Sequence, residues 1–346
     1  MEVKADCSSI RLQKIVIIYL ILFFYLQSCE TKKQKDSIQL IQERIENVIV
    51  NTSPSIVTIF TKEENKILKD IDNETIGSGF VVKRTSTYLF IATNAHVVGK
   101  NKNLYVRFFN DRVTRGEIVG IDQKTDIAVV KVRVNHLNSS IKPLKFESVE
   151  KIKPGMFVLV AGNPYNIGIS YSFGIISGLN RELGVSSVEG YIQTDASIFP
   201  GNSGGPFLNL DGKVIGMSVA KIETEPGIGF AISVEILKDV IDQIIRYGKV
   251  KRGWIGITVV DLSEEIKEKM KIENGALVLK VIKDSPASKS GLVVGDIITK
   301  ANGNPIKNAR ELRSLINNIR PGDILELEVI NSKGKRTVTI ISIEKE

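Results

Sequence analysis

With 346 residues, 42% of them apolar and 25% charged, the chain is too long for one ordinary core and too apolar for disorder, so two domains with appendages are expected. Its net charge of +8 is spread thinly, with no long basic block and no aromatic-basic interleaving, which predicts a solvated surface and no nucleic-acid partner. The two cysteines, Cys7 and Cys29, lie near the N-terminus and the two histidines are His96 and His136, which excludes disulfides, thiolate metal sites and His-rich metal centres from the remainder.

Lys4, Arg11 and Lys14 precede an almost wholly apolar run from Ile15 to Leu26. Twelve residues is short for a membrane-spanning helix and right for the core of a secretory signal. Leu26-Gln27-Ser28-Cys29 then resembles a bacterial lipobox, with Gln27 in place of the usual small or apolar residue. Residues 1–28 therefore read as a lipoprotein-type signal peptide and Cys29 as the lipid attachment site. An uncleaved membrane anchor and ordinary cleavage stay open; all three carry the rest of the chain to the extracytoplasmic side of the cell envelope. Residues 29–50 follow as a polar tether and a helix, with Ile38, Ile41, Ile45, Val48 and Ile49 at helical spacing behind a cap at Asp36 or Ser37. That stripe can pack on its own domain or on further copies of the chain.

From Ile56 the pattern changes to short β-branched runs broken by Gly, Asn and Asp: 56–60, 79–83, 88–93, 104–109, 116–121 and 127–134, then 156–161, 174–179, 191–194, 214–220 and 229–232. Many short strands at this spacing predict an all-β barrel or sandwich. A charged insertion, Thr61 to Ile76, separates the first two, and His136 lies in a polar loop as a bystander. His96 sits in Thr93-Asn94-Ala95-His96-Val97-Val98 at the end of one run, and Asp126 opens another. Ser203 stands in Gly201-Asn202-Ser203-Gly204-Gly205-Pro206, where glycines clear space for a substrate carbonyl and let backbone N–H groups face a developing oxyanion. Taken singly, Ser203 also reads as a turn, His96 as a core histidine and Asp126 as a strand-start cap. Gly-x-Ser-x-Gly occurs too at the nucleophile elbow of α/β hydrolases, but there acid and base follow the serine, whereas here the order is His, Asp, Ser.

Ser233 predicts the cap of a helix with Ile236, Leu237, Val240, Ile241, Ile244 and Ile245 on one face, stopped by Gly248. Lys249 to Gly253 reads as a linker to a second domain. That domain opens with Trp254 and Ile255-Gly256-Ile257 and continues with a helix capped by Ser285, Pro286 at its first position and Gly291 at its end. Gly295-Asp296-Ile297-Ile298 and a turn at Asn302-Gly303 follow. A last helix is capped by Asn308 with Glu311 three residues on, and carries Leu312, Leu315, Ile316 and Ile319 at helical spacing.

The stretches around His96, Asp126 and Ser203, with Gly227-Ile228-Gly229-Phe230-Ala231-Ile232 and the C-terminal part, resemble the HtrA (Deg) family of serine proteases over roughly residues 50 to 346. The resemblance implies an all-β, chymotrypsin/trypsin-like protease domain at 51–250, built of two perpendicular six-stranded barrels, then a single smaller α+β PDZ domain at 251–346. It implies a Ser203 nucleophile, a His96 general base and an Asp126 that orients it, meeting between the barrels, with the backbone N–H groups of Gly201 and Ser203 as the oxyanion hole. The pocket for the residue before the cut would be lined by Ile198, Gly227, Ile228, Gly229 and Phe230, favouring small or medium aliphatic side chains. Ile255-Gly256-Ile257 matches the family loop that takes a peptide's C-terminal carboxylate while the peptide adds a strand; a plain edge strand is the alternative. The activity implied is that of an exported serine endopeptidase, hydrolysing unfolded or misfolded envelope proteins in quality control and stress and regulated by C-terminal peptides at the PDZ domain. Assembly as a homotrimer or a multiple of it is implied, and no metal or organic cofactor. Two other readings stay open: a chaperone or holdase with proteolysis secondary, and a membrane-tethered peptide sensor. The insertion at 61–76 is shorter than the loop by which some members reach a neighbouring subunit.

Overall fold

The computed structural model describes residues 37–61, 76–99, 103–134, 140–184, 188–219 and 227–344. The apolar run at 15–26, Cys29, the cap position Asp36, His136 and nearly all of the 61–76 insertion lie outside them. The chain divides into residues 1–47 and Val48–Glu346. Helix α1 (Ser37–Thr52) begins in the first and ends in the second. Among the described residues no helix is long and apolar enough to cross a membrane.

Strands β1 (Ile56–Thr61), β2 (Ile76–Arg84), β3 (Tyr88–Asn94), β4 (Leu104–Arg107), β5 (Val113–Asp122) and β6 (Ile127–Arg133), with the one-turn helix α2 (Ala95–Val98) after β3, form a closed barrel in the order β1-β2-β3-β6-β5-β4. Branched side chains fit a pleated, curved surface, and Val57, Ile59, Val81, Ile91 and Val130 fill the interior with no exposed area. Burying each contributes about 1.5–3 kcal/mol. A second closed barrel follows, from β7 (Phe157–Gly162), β8 (Ser170–Arg181), β9 (Tyr191–Thr194), β10 (Pro206–Leu208), β11 (Val214–Ser218) and β12 (Gly229–Ser233), in the order β10-β11-β12-β9-β8-β7. Strand β10 is absent from the pattern of runs because its three residues leave the glycine loop directly and show no alternation; Phe207 nevertheless pairs with Val160 and Gly216 and closes the barrel. The run at 104–109 ends early, because the Phe108 N–H turns back to the Arg112 carbonyl.

Helix α3 (Val234–Tyr247) buries Leu237, Val240, Ile241 and Ile244 and stops at Gly248, whose N–H donates to the Ile244 carbonyl. Ser233 occupies its N-cap position, but the hydroxyl makes no capping bond, so the helix start rests on packing. The C-terminal region comprises β13 (Gly253–Trp254), β14 (Ile257–Asp261), α4 (Glu264–Met270), β15 (Ala276–Val281), α5 (Pro286–Lys289), β16 (Ile297–Ala301), β17 (Asn304–Pro305), α6 (Ala309–Asn318), β18 (Ile324–Asn331), β19 (Gly334–Ile341) and β20 (Ile343–Glu344). Its sheet runs β14-β15-β16-β18-β19, with β17 beside β16. Gly253 is no linker residue: β13 pairs with β20 and ties the two ends of the region together. Ser285 Oγ caps α5 by accepting from Ser288 N, and Asn308 Oδ1 caps α6 by accepting from Glu311 N at 2.9 Å. Glu311 reaches back to the Lys307 N–H at 2.7 Å, one residue before the cap, closing a shifted capping box.

Candidate active site

His96 stands on α2, where the chain leaves β3 for the mouth of the first barrel. The turn joining β5 to β6 brings Asp126 beneath it in the left-handed region, φ +57°. The Asp126 carbonyl accepts from Asn94 Nδ2 and from Ala95 N, both at 3.0 Å, and its Oδ1 accepts from His96 N at 2.9 Å. Fixed by these bonds, Oδ2 lies 2.6 Å from His96 Nδ1, and His96 Nε2 lies 3.0 Å from Ser203 Oγ. A carboxylate on Nδ1 holds that proton in place and leaves the Nε2 lone pair to receive one from the hydroxyl. Tyr191 packs nearby with its phenol pushed up to about 12, by burial first and then by the charges of Glu189 and Asp126, so it adds no charge at neutral pH.

The Ser203 loop is clasped from both barrels. From β2, Ser78 N donates to the Ser203 carbonyl and Ser78 Oγ to the Gly201 carbonyl, each at 2.7 Å. The same hydroxyl accepts from Asn163 N at 2.8 Å, and Thr93 Oγ1 donates to the Ser78 carbonyl at 2.7 Å. Gly201 has φ +99°, and a Cβ there would overlap the Asn163 carbonyl oxygen, so only glycine fits. The Pro200 carbonyl accepts from Tyr165 N at 3.0 Å. In a trans peptide the following N–H points the opposite way, so the Gly201 N–H faces away from Tyr165, and it makes no hydrogen bond among the described residues. Tyr165 and Asn166 both adopt positive φ, +50° and +57°, a conformation that costs each on the order of 1–3 kcal/mol. They are held by the Tyr165–Phe199 ring contact, with centroids 6.0 Å apart, and by Arg107, which donates to Asn166 Oδ1 at 3.1 Å. Reading the sequence misses Ser78, Asn163 and Tyr165; the one available signal is a polar residue between glycines, Gly77-Ser78-Gly79, inside a strand.

Of the expected pocket residues, Ile198 and Gly229 meet: a Cβ on Gly229 would lie 2.6 Å from the Ile198 Cδ1. Ile228 is exposed and Gly227 has positive φ, whereas Phe230 is buried with its ring edge-on to Tyr191. By the alternation of β12, Phe230 and Gly229 lie on opposite faces.

In the C-terminal region Ile255 and Gly256 precede the edge strand β14, and only Ile257 belongs to it. The Ile255 and Gly256 carbonyls turn inward to Ala287 N and Ile282 N, at 2.9 and 2.8 Å. Gly256 has φ +84° and presses on Ser285 so closely that a Cβ would overlap it. The Gly256 N–H makes no hydrogen bond among the described residues.

An ion pair with a buried carboxylate joins the two regions. Arg252 donates to both oxygens of Asp122, at 2.7 and 2.6 Å, and Thr125 Oγ1 donates to Oδ2 at 2.5 Å. Burial alone would raise this carboxyl, but the Arg252 and Thr125 hydrogen bonds hold it below the usual 3.8. The pair anchors the turn that carries Asp126, four residues along.

The sequence matches the model of a trypsin-like peptidase domain over residues 77–217 and that of a PDZ domain over residues 253–341. A probable periplasmic serine endoprotease DegP-like from Pseudomonas fulva is 35% identical over 273 residues, 77% of this chain and 55% of that protein. One of the same description from Halomonas elongata is 36% identical over 275 residues, covering 78% and 56%. The chain thus spans about half the length of the curated relatives it matches. Among solved structures, the HtrA-type protease AlgW with tripeptide aligns with a TM-score of 0.75 at 30% identity, covering 87% of this chain and 97% of that one. The serine endoprotease from Yersinia pestis aligns with a TM-score of 0.68 at 31% identity, covering 87% and 98%. At that identity, and with nearly the whole of each solved chain covered, this chain belongs to the HtrA family, as a trypsin-like peptidase fold followed by one PDZ domain.

Proposed function

We propose that the chain is an exported serine endopeptidase, with a protease domain at 51–250 and a PDZ domain at 251–346, that hydrolyses unfolded or misfolded proteins of the cell envelope. The observation that carries this is the unbroken relay Asp126 Oδ2, His96 Nδ1, His96 Nε2, Ser203 Oγ, with steps of 2.6 and 3.0 Å across the relay. Ser203 Oγ attacks the peptide carbonyl as its proton passes to His96 Nε2; Asp126 stabilises the imidazolium, which then protonates the leaving amine. Water, deprotonated by the same imidazole, releases the acyl group. The developing oxyanion is taken by the N–H groups of Gly201 and Ser203. Ile198 and Gly229 shape an aliphatic pocket for the residue before the cut. The periplasmic endoproteases among the relatives support an envelope location, and the tripeptide held by AlgW supports peptide recognition. Attachment at Cys29, which rests on the lipobox-like sequence, and trimeric assembly, which rests on the family resemblance, belong to the same proposal.

The test is degradation of a reduced, unfolded protein by the chain lacking residues 1–29 and by its Ser203→Ala variant, with and without a peptide ending in an apolar residue. Expected is cleavage by the parent, loss by a factor on the order of 10⁶ in the variant, and stimulation by the peptide. Folded parent protein that cleaves nothing but still suppresses aggregation would move the assignment to a holdase.

A further inference from the structure

The groove that would hold a PDZ ligand is occupied in its middle. Strand β14 is bonded to β15 along one edge only, and α6 runs beside the other. Ala309 N donates to Asp261 Oδ1 at 2.8 Å at one end of α6, and Gly253 N donates to the Ile319 carbonyl at 2.7 Å at the other, so helix and strand are pinned alongside each other. Between these pins Arg313 Nη1 donates to the Val259 carbonyl at 2.9 Å. A peptide that extends the sheet must use the open-edge carbonyls of β14, so it competes with this guanidinium for Val259.

Arg313 is otherwise exposed and forms no ion pair among the described residues, whereas Arg310, one turn earlier, is held by Glu182 at 2.7 Å. The displaced side chain therefore swings aside easily and brings an uncompensated, fork-shaped positive charge to the groove wall. With the peptide carboxylate at Gly256, its last residue pairs alongside Ile257 and its third-from-last alongside Val259, next to α6. We propose that Arg313 selects the ligand of this groove: it shuts the edge against neutral peptides and admits those with an apolar C-terminal residue and Asp or Glu third from the end, whose carboxylate takes the guanidinium in a bidentate pair. This rests on the peptide-binding reading of the PDZ domain given above.

The experiment uses the full chain in detergent, its Arg313→Ala variant, and two labelled octapeptides ending in an apolar residue with either Glu or Gln third from the end. Anisotropy titration is expected to show the wild type binding the Glu peptide about 10-fold more tightly. In Arg313→Ala the Gln peptide should gain about 3-fold and the Glu preference should vanish. An unchanged Glu preference in Arg313→Ala, or weaker binding of the Gln peptide, overturns the selector while leaving peptide binding intact. If the wild type binds neither peptide, the peptide-binding reading itself falls, and a Gly256→Val variant that binds as well as wild type would show that binding occurs elsewhere.

Discussion

The loop of Ser203 and the groove beside β14, the two places where the proposed function puts an extended chain, are held in different ways. At the loop, the carbonyls of Pro200, Gly201 and Ser203 are each fixed by a donor from outside it: Tyr165, the Ser78 hydroxyl and the Ser78 N–H. The donors come from both barrels, so the serine cannot move without parting them. At the groove, the middle of the strand edge is covered by one exposed arginine. A group that makes bonds gains from being fixed before substrate arrives, because reorganisation during the reaction adds to the barrier. A surface that samples peptides can instead be closed by one displaceable side chain, and that side chain then discriminates among what displaces it.

Gly201→Ala strikes hardest at the fixed half of this contrast. The new methyl meets the Asn163 carbonyl at a residue with φ +99°, so the peptide carrying the Gly201 N–H must shift. The specificity constant for a short chromogenic peptide should fall roughly 10²–10³-fold, while anisotropy titration finds PDZ peptide affinity unchanged. Hydrolysis within tenfold of wild type would show that the Gly201 N–H takes no part.

Asp122→Asn probes the junction between the two halves. Removing the carboxylate leaves the partly buried guanidinium of Arg252 without its counter-charge, which should lower stability by about 3 kcal/mol at pH 7 in urea unfolding. The folded carboxyl is depressed, so its contribution is complete above the ordinary value of 3.8 and is lost as pH falls below that, through the depressed folded value. The gap between variant and parent should accordingly be full at pH 5 and narrow towards pH 3. An equal gap at pH 7 and pH 3 would rule out the ion pair as its source.

Much of this architecture is legible in the residues because local rules and packing agree. The β-branched runs become barrel strands, Gly248 ends α3 at a left-handed cap, and Asn308 starts α6 as its spacing with Glu311 predicts. His96, Asp126 and Ser203 could be picked out because each sits in a recognisable neighbourhood, and the structure brings them within hydrogen-bond reach of one another. What supports them was hidden. Ser78 lies 125 positions from Ser203 in the sequence numbering, and a serine within a strand carries no local mark of a partner so distant. Arg252 and Arg313 read as ordinary charges on a linker and a helix. Their meaning comes from Asp122 and from the Val259 carbonyl, which only the folded chain brings near. Ser233 errs the other way, a residue type suited to capping whose hydroxyl makes no cap bond, because packing of the apolar face of α3 already sets the helix start.

The smallest effect concerns how firmly α6 carries its arginine. Asn308 Oδ1 satisfies the Glu311 N–H at 2.9 Å, one of the donors that a helix start leaves open, and the residue is exposed, so its side chain contributes little beyond that bond. Asn308→Ala should lower stability by about 1 kcal/mol, and Asn308→Gly by only a few tenths, since glycine tolerates the cap position while alanine leaves the donor poorly solvated. Lys307 N to Glu311 survives in both, which limits the loss to the cap itself. Urea unfolding of the two variants separates this from simple loss of a side chain, which would make them equal. Hydrolysis of a short chromogenic peptide should be untouched in both, because the bonds described above for the Ser203 loop come from Ser78, Tyr165 and His96 and not from α6; a matching fall in hydrolysis would mean that the two halves of the molecule are not independent at this level.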